Sequence, residues 1–357
     1  MSDVLELTKQ LVAVPSHEDE TEAGDAIEAW LTENTDAAVT RDEVGNVIAR
    51  RGTGGHSLAL VGHHDVVPPA EEQLAGEEYV VEERDGRVYG RGTADMKGSV
   101  AAAMLAFRDA DPDCELLFAS FVGEEVGGIG ATHAVENGFV PDYAIVGEGS
   151  TNYSGPGVTD VVVAHRGRRS HEITVHGTAA HASEPEAGVN AIYRSRDVLD
   201  VFAELEFPTA TVHGMTFGGS AVVTKIRDGG NPANEIPHEC VMEVDERTVP
   251  GAEVSYEALS TLENVDVASA DGLAPMECDD DDFAETVLDA AAAAQGGTPE
   301  IVLKPHATDA GRPALAGTTR LVCGASEPGE AHTATESAGV DVIERCYRIY
   351  RNAADRV

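Results

Sequence analysis

The chain has 357 residues, 42% of them hydrophobic, so it can bury a substantial core and is not a disordered chain. Its 64 Asp and Glu against 24 Lys and Arg give a formal net charge of −40. That sign excludes a binder of nucleic acid or of an anionic membrane, both of which need basic patches. The apolar spacing predicts a first helix over 3–14, ended by Pro15-Ser16, and a second over 18–31 with Ala23, Ile27, Trp30 and Leu31 on one face. Strands are expected over 47–49 and 58–61, a helix over 100–107, and buried strands over 116–122 and 143–146. Alternating strands and helices point to an α/β sheet that is mostly parallel at its centre, with helices on both faces. After Gly167 the pattern changes. A strand over 171–175, a helix over 189–205 and strands over 221–226 and 240–244 read as a smaller α+β layer. Helix and strand alternation returns over 283–294, 318–323 and 340–350.

The residues that follow the strands carry the chemistry. GHHD (Gly62 to Asp65), GEE (Gly123 to Glu125), GE (Gly147, Glu148) and a Gly-rich loop reaching His332 each come after a predicted strand. The loop YGRGTADMKG adds Asp95 at the start of a helix. Ligands of open α/β sheets bind outside the carboxyl ends of the strands. Imidazoles and carboxylates gathered on one rim suit a divalent transition metal. Each residue alone has a plainer reading: a loop histidine, a solvated Glu pair, an N-cap. Five acceptors after separate strands favour the metal site. In an extended segment Glu124 and Glu125 would point to opposite sides, one to a metal and one to substrate. That division fits metal-assisted hydrolysis. Asp65 is placed to accept the other ring N–H of His63. The chain has no P-loop, no GxSxG elbow and no HExxH helix.

At GHHDVVP, YGRGTADMKGS, GEEVGGIGA and the late AHT, the sequence resembles the co-catalytic zinc amidohydrolases and exopeptidases. That family includes acetylornithine deacetylase, succinyl-diaminopimelate desuccinylase, aminoacylase and the carboxypeptidase G type. The resemblance runs over about residues 3 to 350. It implies two Zn2+ per chain, with Co2+ or Mn2+ as substitutes. His63 and Glu148 would hold one ion, Glu125 and His332 the other, and Asp95 would bridge them. It makes Glu124 the general base and Asp65 the orienter of His63. It also implies a catalytic domain over 1–167 and 273–357, interrupted by a lid and dimerisation domain over 168–272. AAHASEPEAGVNAI would supply His181 as a substrate contact acting across a homodimer. GGNPANEIP would supply Asn234, DERTVPG Arg247, and ATDAGR both Thr308 and Arg312, as substrate-binding residues. For Arg247 and Arg312 a surface ion pair is the plain alternative. Where the family often has DEE and EPT, this chain has Gly123-Glu124-Glu125 and Glu148-Gly149-Ser150. Loss of that Pro is expected to free the backbone beside Glu148. The expected substrate is a small N-acyl amino acid or short peptide. A dipeptidase or carboxypeptidase, or a non-catalytic amino-acid or peptide binder, are the competing readings.

Only four of the basic residues are Lys, and the acids are spread along the chain. Self-repulsion on this scale is largely screened near 1 M salt, where the Debye length is about 3 Å. The expected setting is the salt-rich cytoplasm of a halophile. The five Cys form no CxxC pair, which suits a reducing compartment and a role as small buried hydrophobes. The N-terminus reads as free of a signal peptide, and no apolar run reaches the roughly 18 residues of a membrane helix.

Overall fold

The structure, a computed structural model, describes residues 2–228, 233–311 and 317–357. The chain divides into two compact units. One comprises Met1–His165, Met276–Lys304 and Thr308–Val357; the other comprises Arg166–Pro275 and Pro305–Ala307. In chain order, the first unit begins with helices α1 (Asp3–Val12) and α2 (Thr21–Asn34) and strands β1 (Ala38–Arg41), β2 (Val47–Arg51) and β3 (Ser57–His63). Then come α3 (Gly98–Asp109), β4 (Glu115–Phe121), α4 (Ile129–Glu136), β5 (Tyr143–Val146) and β6 (Val161–His165). The second unit holds β7 (Arg168–His176), α5 (Ala191–Glu204), β8 (Ser220–Asp228), β9 (Glu239–Arg247) and β10 (Val265–Leu273). The chain then returns to the first unit with β11 (Met276–Glu277), α6 (Asp281–Ala294), β12 (Ile301–Lys304), β13 (Thr319–Val322) and α7 (Val340–Ala354).

The large sheet runs β1-β2-β4-β3-β5-β13-β6-β11, with β12 also paired to β6. Its centre, β4-β3-β5-β13, is parallel throughout. Antiparallel pairs flank it on both sides. Successive strand side chains face opposite ways. Ala59, Val61, Leu117 and Ala119 therefore meet Ala131 and Ala134 of α4 on one face. Phe118 turns to the other face, its ring 6.3 Å from that of Phe107 on α3. Burial on both faces explains why these strands read as unbroken apolar runs.

The sequence reading leaves out β1, β6 and β12. Edge strand β1 is at most half-buried and carries little apolar signal. Strand β6 has five fully buried residues, too few for periodicity to separate strand from helix. Helix α2 starts later than expected because the Asp19 carboxylate accepts the Thr21 N–H at 2.9 Å, making a turn before it. Ala23, Ile27 and Leu31 are buried as the spacing requires, while Trp30 is half-buried under the Arg108 guanidinium. All five thiols are buried and unpaired with one another. Among the described residues no helix is long and apolar enough to cross a membrane.

In the second unit the sheet order is β8-β9-β7-β10, antiparallel throughout. Helix α5 closes one face. Its Ala191 and Val198 pack against Ile173, Val175, Cys240, Met242 and Val244.

Candidate metal centre

Because β4, β3, β5 and β13 are parallel, their carboxyl ends share one rim. His63 closes β3, Glu125 lies in the turn after β4, Glu148 follows β5, and His332 sits in the loop after β13. Asp95 arrives on the segment leading into α3. Its two oxygens face different histidines: Oδ1 is 3.2 Å from His63 Nε2, and Oδ2 is 3.2 Å from His332 Nε2. Glu148 Oε1 stands 3.6 Å from His63 Nε2, and Glu125 Oε1 stands 2.9 Å from His332 Nε2. The result is two three-residue clusters, His63–Asp95–Glu148 and Asp95–Glu125–His332, with Asp95 common to both. In each, the ligand atoms lie within 4.8 Å of one another.

The electrostatics suit cations. Burial pushes the His63 imidazole down, but Asp65, Asp95 and Glu148 outweigh it and hold the ring well above its ordinary range. Hydrogen bonds to Asp95 and then Glu125 push His332 up to about 10. Burial raises the Asp95 carboxyl, yet His332 and His63 hold it far below the usual carboxylate range. Two histidines and three carboxylates in contact are a nitrogen and oxygen donor set that divalent transition ions accept. The neighbouring His64 is different. It is fully buried, its Nδ1 meets Ser120 Oγ at 2.8 Å, and burial lowers it to about 3. It stays neutral and takes no part in either cluster.

Two expectations change here. Glu124 and Glu125 lie in a turn, with Gly128 N–H donating to the Gly123 carbonyl at 2.6 Å. Strand alternation therefore does not set their directions. The backbone beside Glu148 is not loosened by Gly149. A Cβ there would come within 2.6 Å of Ser326 Cβ, and Lys304 Nζ donates to the Gly149 carbonyl at 2.9 Å. His63 Nδ1 bonds to the Asp65 backbone carbonyl at 3.1 Å, with the Asp65 carboxylate Oδ1 3.3 Å away. Asp65 Oδ2 accepts the Glu125 N–H at 2.9 Å, so one residue, through its carbonyl and its carboxylate, meets two residues of the rim.

The remaining predicted residues have these surroundings. His181 and Asn234 line an open recess of about 400 Å³ in the second unit, with Asn234 Nδ2 3.4 Å from His181 Nε2. Arg247 donates to Asp245 Oδ1 at 2.6 Å. Thr308 is buried, its hydroxyl 3.1 Å from His165 Nε2. Arg312 lies outside the described residues.

Sequence reasoning missed Glu336 and Arg91. Glu336 is buried, four residues beyond His332. Its Oε1 accepts the N–H groups of Ala94 at 2.9 Å and Asp95 at 3.1 Å, and its other oxygen pairs with Arg91. It thus ties the Asp95 segment to the His332 loop. Arg91 sits inside the YGRGTADMKG loop, but a partner 245 positions away has no local signal. Glu336→Ala leaves the buried Arg91 guanidinium without its carboxylate and two N–H groups unpaired, which should cost about 3–5 kcal/mol of unfolding free energy. Denaturant titration of the metal-free protein measures this. A loss under about 1 kcal/mol contradicts the tie.

Comparison with known proteins places the chain. The model of peptidase family M20/M25/M40 matches residues 59–356. The acetylornithine deacetylase of Vibrio campbellii is 34% identical over 229 residues, 62% of this chain and 57% of that protein. That of Proteus mirabilis is 31% identical over 246 residues, 65% and 58% of the two chains. These matches span less than two thirds of the length of the curated relatives. Aminopeptidase PepT of Bacillus cereus has the same fold at a TM-score of 0.79 and 19% identity, covering 98% of this chain and 97% of that one. The YXEP protein of Bacillus subtilis, a dinuclear metal-binding peptidase, superposes at 0.72 with 15% identity over 98% and 96%. With most of its length matched by the family's model, the chain belongs to peptidase family M20/M25/M40.

Proposed function

We propose that the chain is a two-metal amidohydrolase that cleaves the amide bond of an N-acylated amino acid, with zinc as its resident ion. The observation that carries this is Asp95, whose two oxygens each belong to a different ligand cluster. His63 and Glu148 complete one pocket, Glu125 and His332 the other. Divalent ions bound there supply a Lewis acid and an acidified water. Asp65 holds His63 in one tautomer through its Nδ1. Glu124, beside the ligand Glu125 in the turn, takes a proton from the attacking water and delivers it to the departing nitrogen. The water oxygen bonds to the acyl carbon, the C–N bond breaks, and the amine leaves with that proton.

The identity to acetylornithine deacetylases supports a deacylase of that type. The test is a hydrolysis screen at molar salt with added zinc or cobalt, using acetylornithine, succinyl-diaminopimelate and simple dipeptides, beside metal analysis of the purified protein. Release of ornithine is expected. Cleavage of dipeptides alone makes the chain a peptidase of the family. Bound metal with no turnover on any of them favours a binding protein.

We also propose that the second unit forms a homodimer and that the partner subunit's His181 contacts the substrate. Among the described residues, seven of the ten exposed large apolar side chains are in this unit, including Ile192, Tyr193 and Leu199 on α5 and Val222 and Ile226 on the edge strand β8. Carrying −40, such subunits should separate as salt falls and the Debye length grows from about 3 Å at 1 M to about 10 Å at 0.1 M. Activity and sedimentation, followed on one sample from molar salt downward, should fall together. An active monomer rules out the His181 role, and full activity in dilute buffer rules out the halophilic reading.

A further inference from the structure

Lysine is scarce in this chain: Lys9, Lys97, Lys225 and Lys304 are all there are. Lys304, which ends β12, is one of two that are buried. An ammonium withdrawn from water is costly unless nearby groups compensate it. For Lys304 those groups are in the loop after β5. Its Nζ donates to the Gly149 carbonyl at 2.9 Å and stands 3.6 Å from Glu148 Oε2. The other oxygen, Oε1, faces His63 at 3.6 Å. One carboxylate is thus divided between a ligand cluster and a fixed cation.

We propose that Lys304 is a positioning residue that makes the two metal pockets unequal. It turns Glu148 so that Oε1 alone serves the His63–Asp95–Glu148 pocket. Its positive charge draws on the same carboxylate and repels a second cation, and both effects are strong where water is scarce. That pocket therefore binds its ion less tightly, and the bound ion is the stronger Lewis acid. This rests on the two-metal reading above. The plainer alternative is a clamp that only holds the Gly149 backbone. The two differ in sign. Removing a clamp loosens the metal, whereas removing a repelling charge tightens it.

The experiment measures stepwise Zn2+ binding to the metal-free full chain at molar salt, by competition with a chromophoric chelator. Wild type, Lys304→Met, Lys304→Gln and Lys304→Arg are compared, with thermal unfolding of each metal-free protein as the control for folding. In wild type two ions should bind with unequal affinity. In Lys304→Met the weaker step should tighten about tenfold, the scale of outer-sphere effects on metal affinity. Lys304→Arg should stay within about twofold of wild type, since it keeps the charge. Lys304→Gln keeps a donor for Gly149 without the charge and is read in the same way if Lys304→Met does not fold. Unchanged or weaker zinc binding in a folded neutral variant overturns the proposal. So does an Arg variant that behaves like Met, or failure of both neutral variants to fold, which marks a clamp. A wild type that takes up no zinc overturns the two-metal reading itself, whereas two bound ions with the wrong sign in Lys304→Met overturn only the role of Lys304.

Discussion

Asp95→Ala should leave the protein with neither metal ion at concentrations where wild type holds two. Asp95 gives Oδ1 to one cluster and Oδ2 to the other, each oxygen 3.2 Å from a histidine nitrogen. Its charge would also offset the repulsion between two neighbouring divalent ions held there. His63 and His332 each serve one pocket. Changing a residue that merely supports a ligand costs about 10–100-fold in metal affinity. Loss of the shared ligand should exceed that in both pockets, and should exceed His63→Ala or His332→Ala, which each spare one. Elemental analysis of the three variants after dialysis against a weak chelator decides this. Two ions retained per chain in the Asp95 variant would falsify the bridge.

Glu124→Gln should lower kcat by about 10²–10⁴-fold while metal content stays at the wild-type value. That corresponds to roughly 3–5 kcal/mol of transition-state stabilisation. The amide keeps the size and shape of the side chain but takes no proton from water at neutral pH. The half-buried turn position of Glu124 also argues against a large change in stability. KM should change little, because the residue acts on the proton and not on substrate binding. A steady-state measurement beside metal analysis makes the comparison. Near-normal kcat at full metal occupancy removes Glu124 from the role of base.

Much of the central sheet was legible in the sequence because the rules that build it are local. Leu58 to Val61, Leu116 to Ala119 and Tyr143 to Val146 are unbroken apolar runs, as strands covered on both faces tend to be. Parallel strands put their carboxyl ends on one rim, so a His or Glu just past each run already marked a place where ligands meet. The extreme charge and the scarcity of lysine were equally plain. Tertiary structure decided the matters that depend on direction and on distant pairing. Two adjacent histidines look alike in GHHD, yet His63 faces Asp95 while His64 turns inward to Ser120. Glu124 and Glu125 follow a strand, but a bend at Gly123 with φ near 62° removes the alternation that a strand would impose. Glu336 holds Asp95 from 241 positions away, and Lys304 meets Glu148 from 156 positions away, the difference of their numbers. Spacing along a chain reports only which side chains share a face of one element. Contacts between distant loops are set by how the elements pack, and there Asp95 comes to be shared by two clusters, Glu336 to tie its segment and Lys304 to face Glu148.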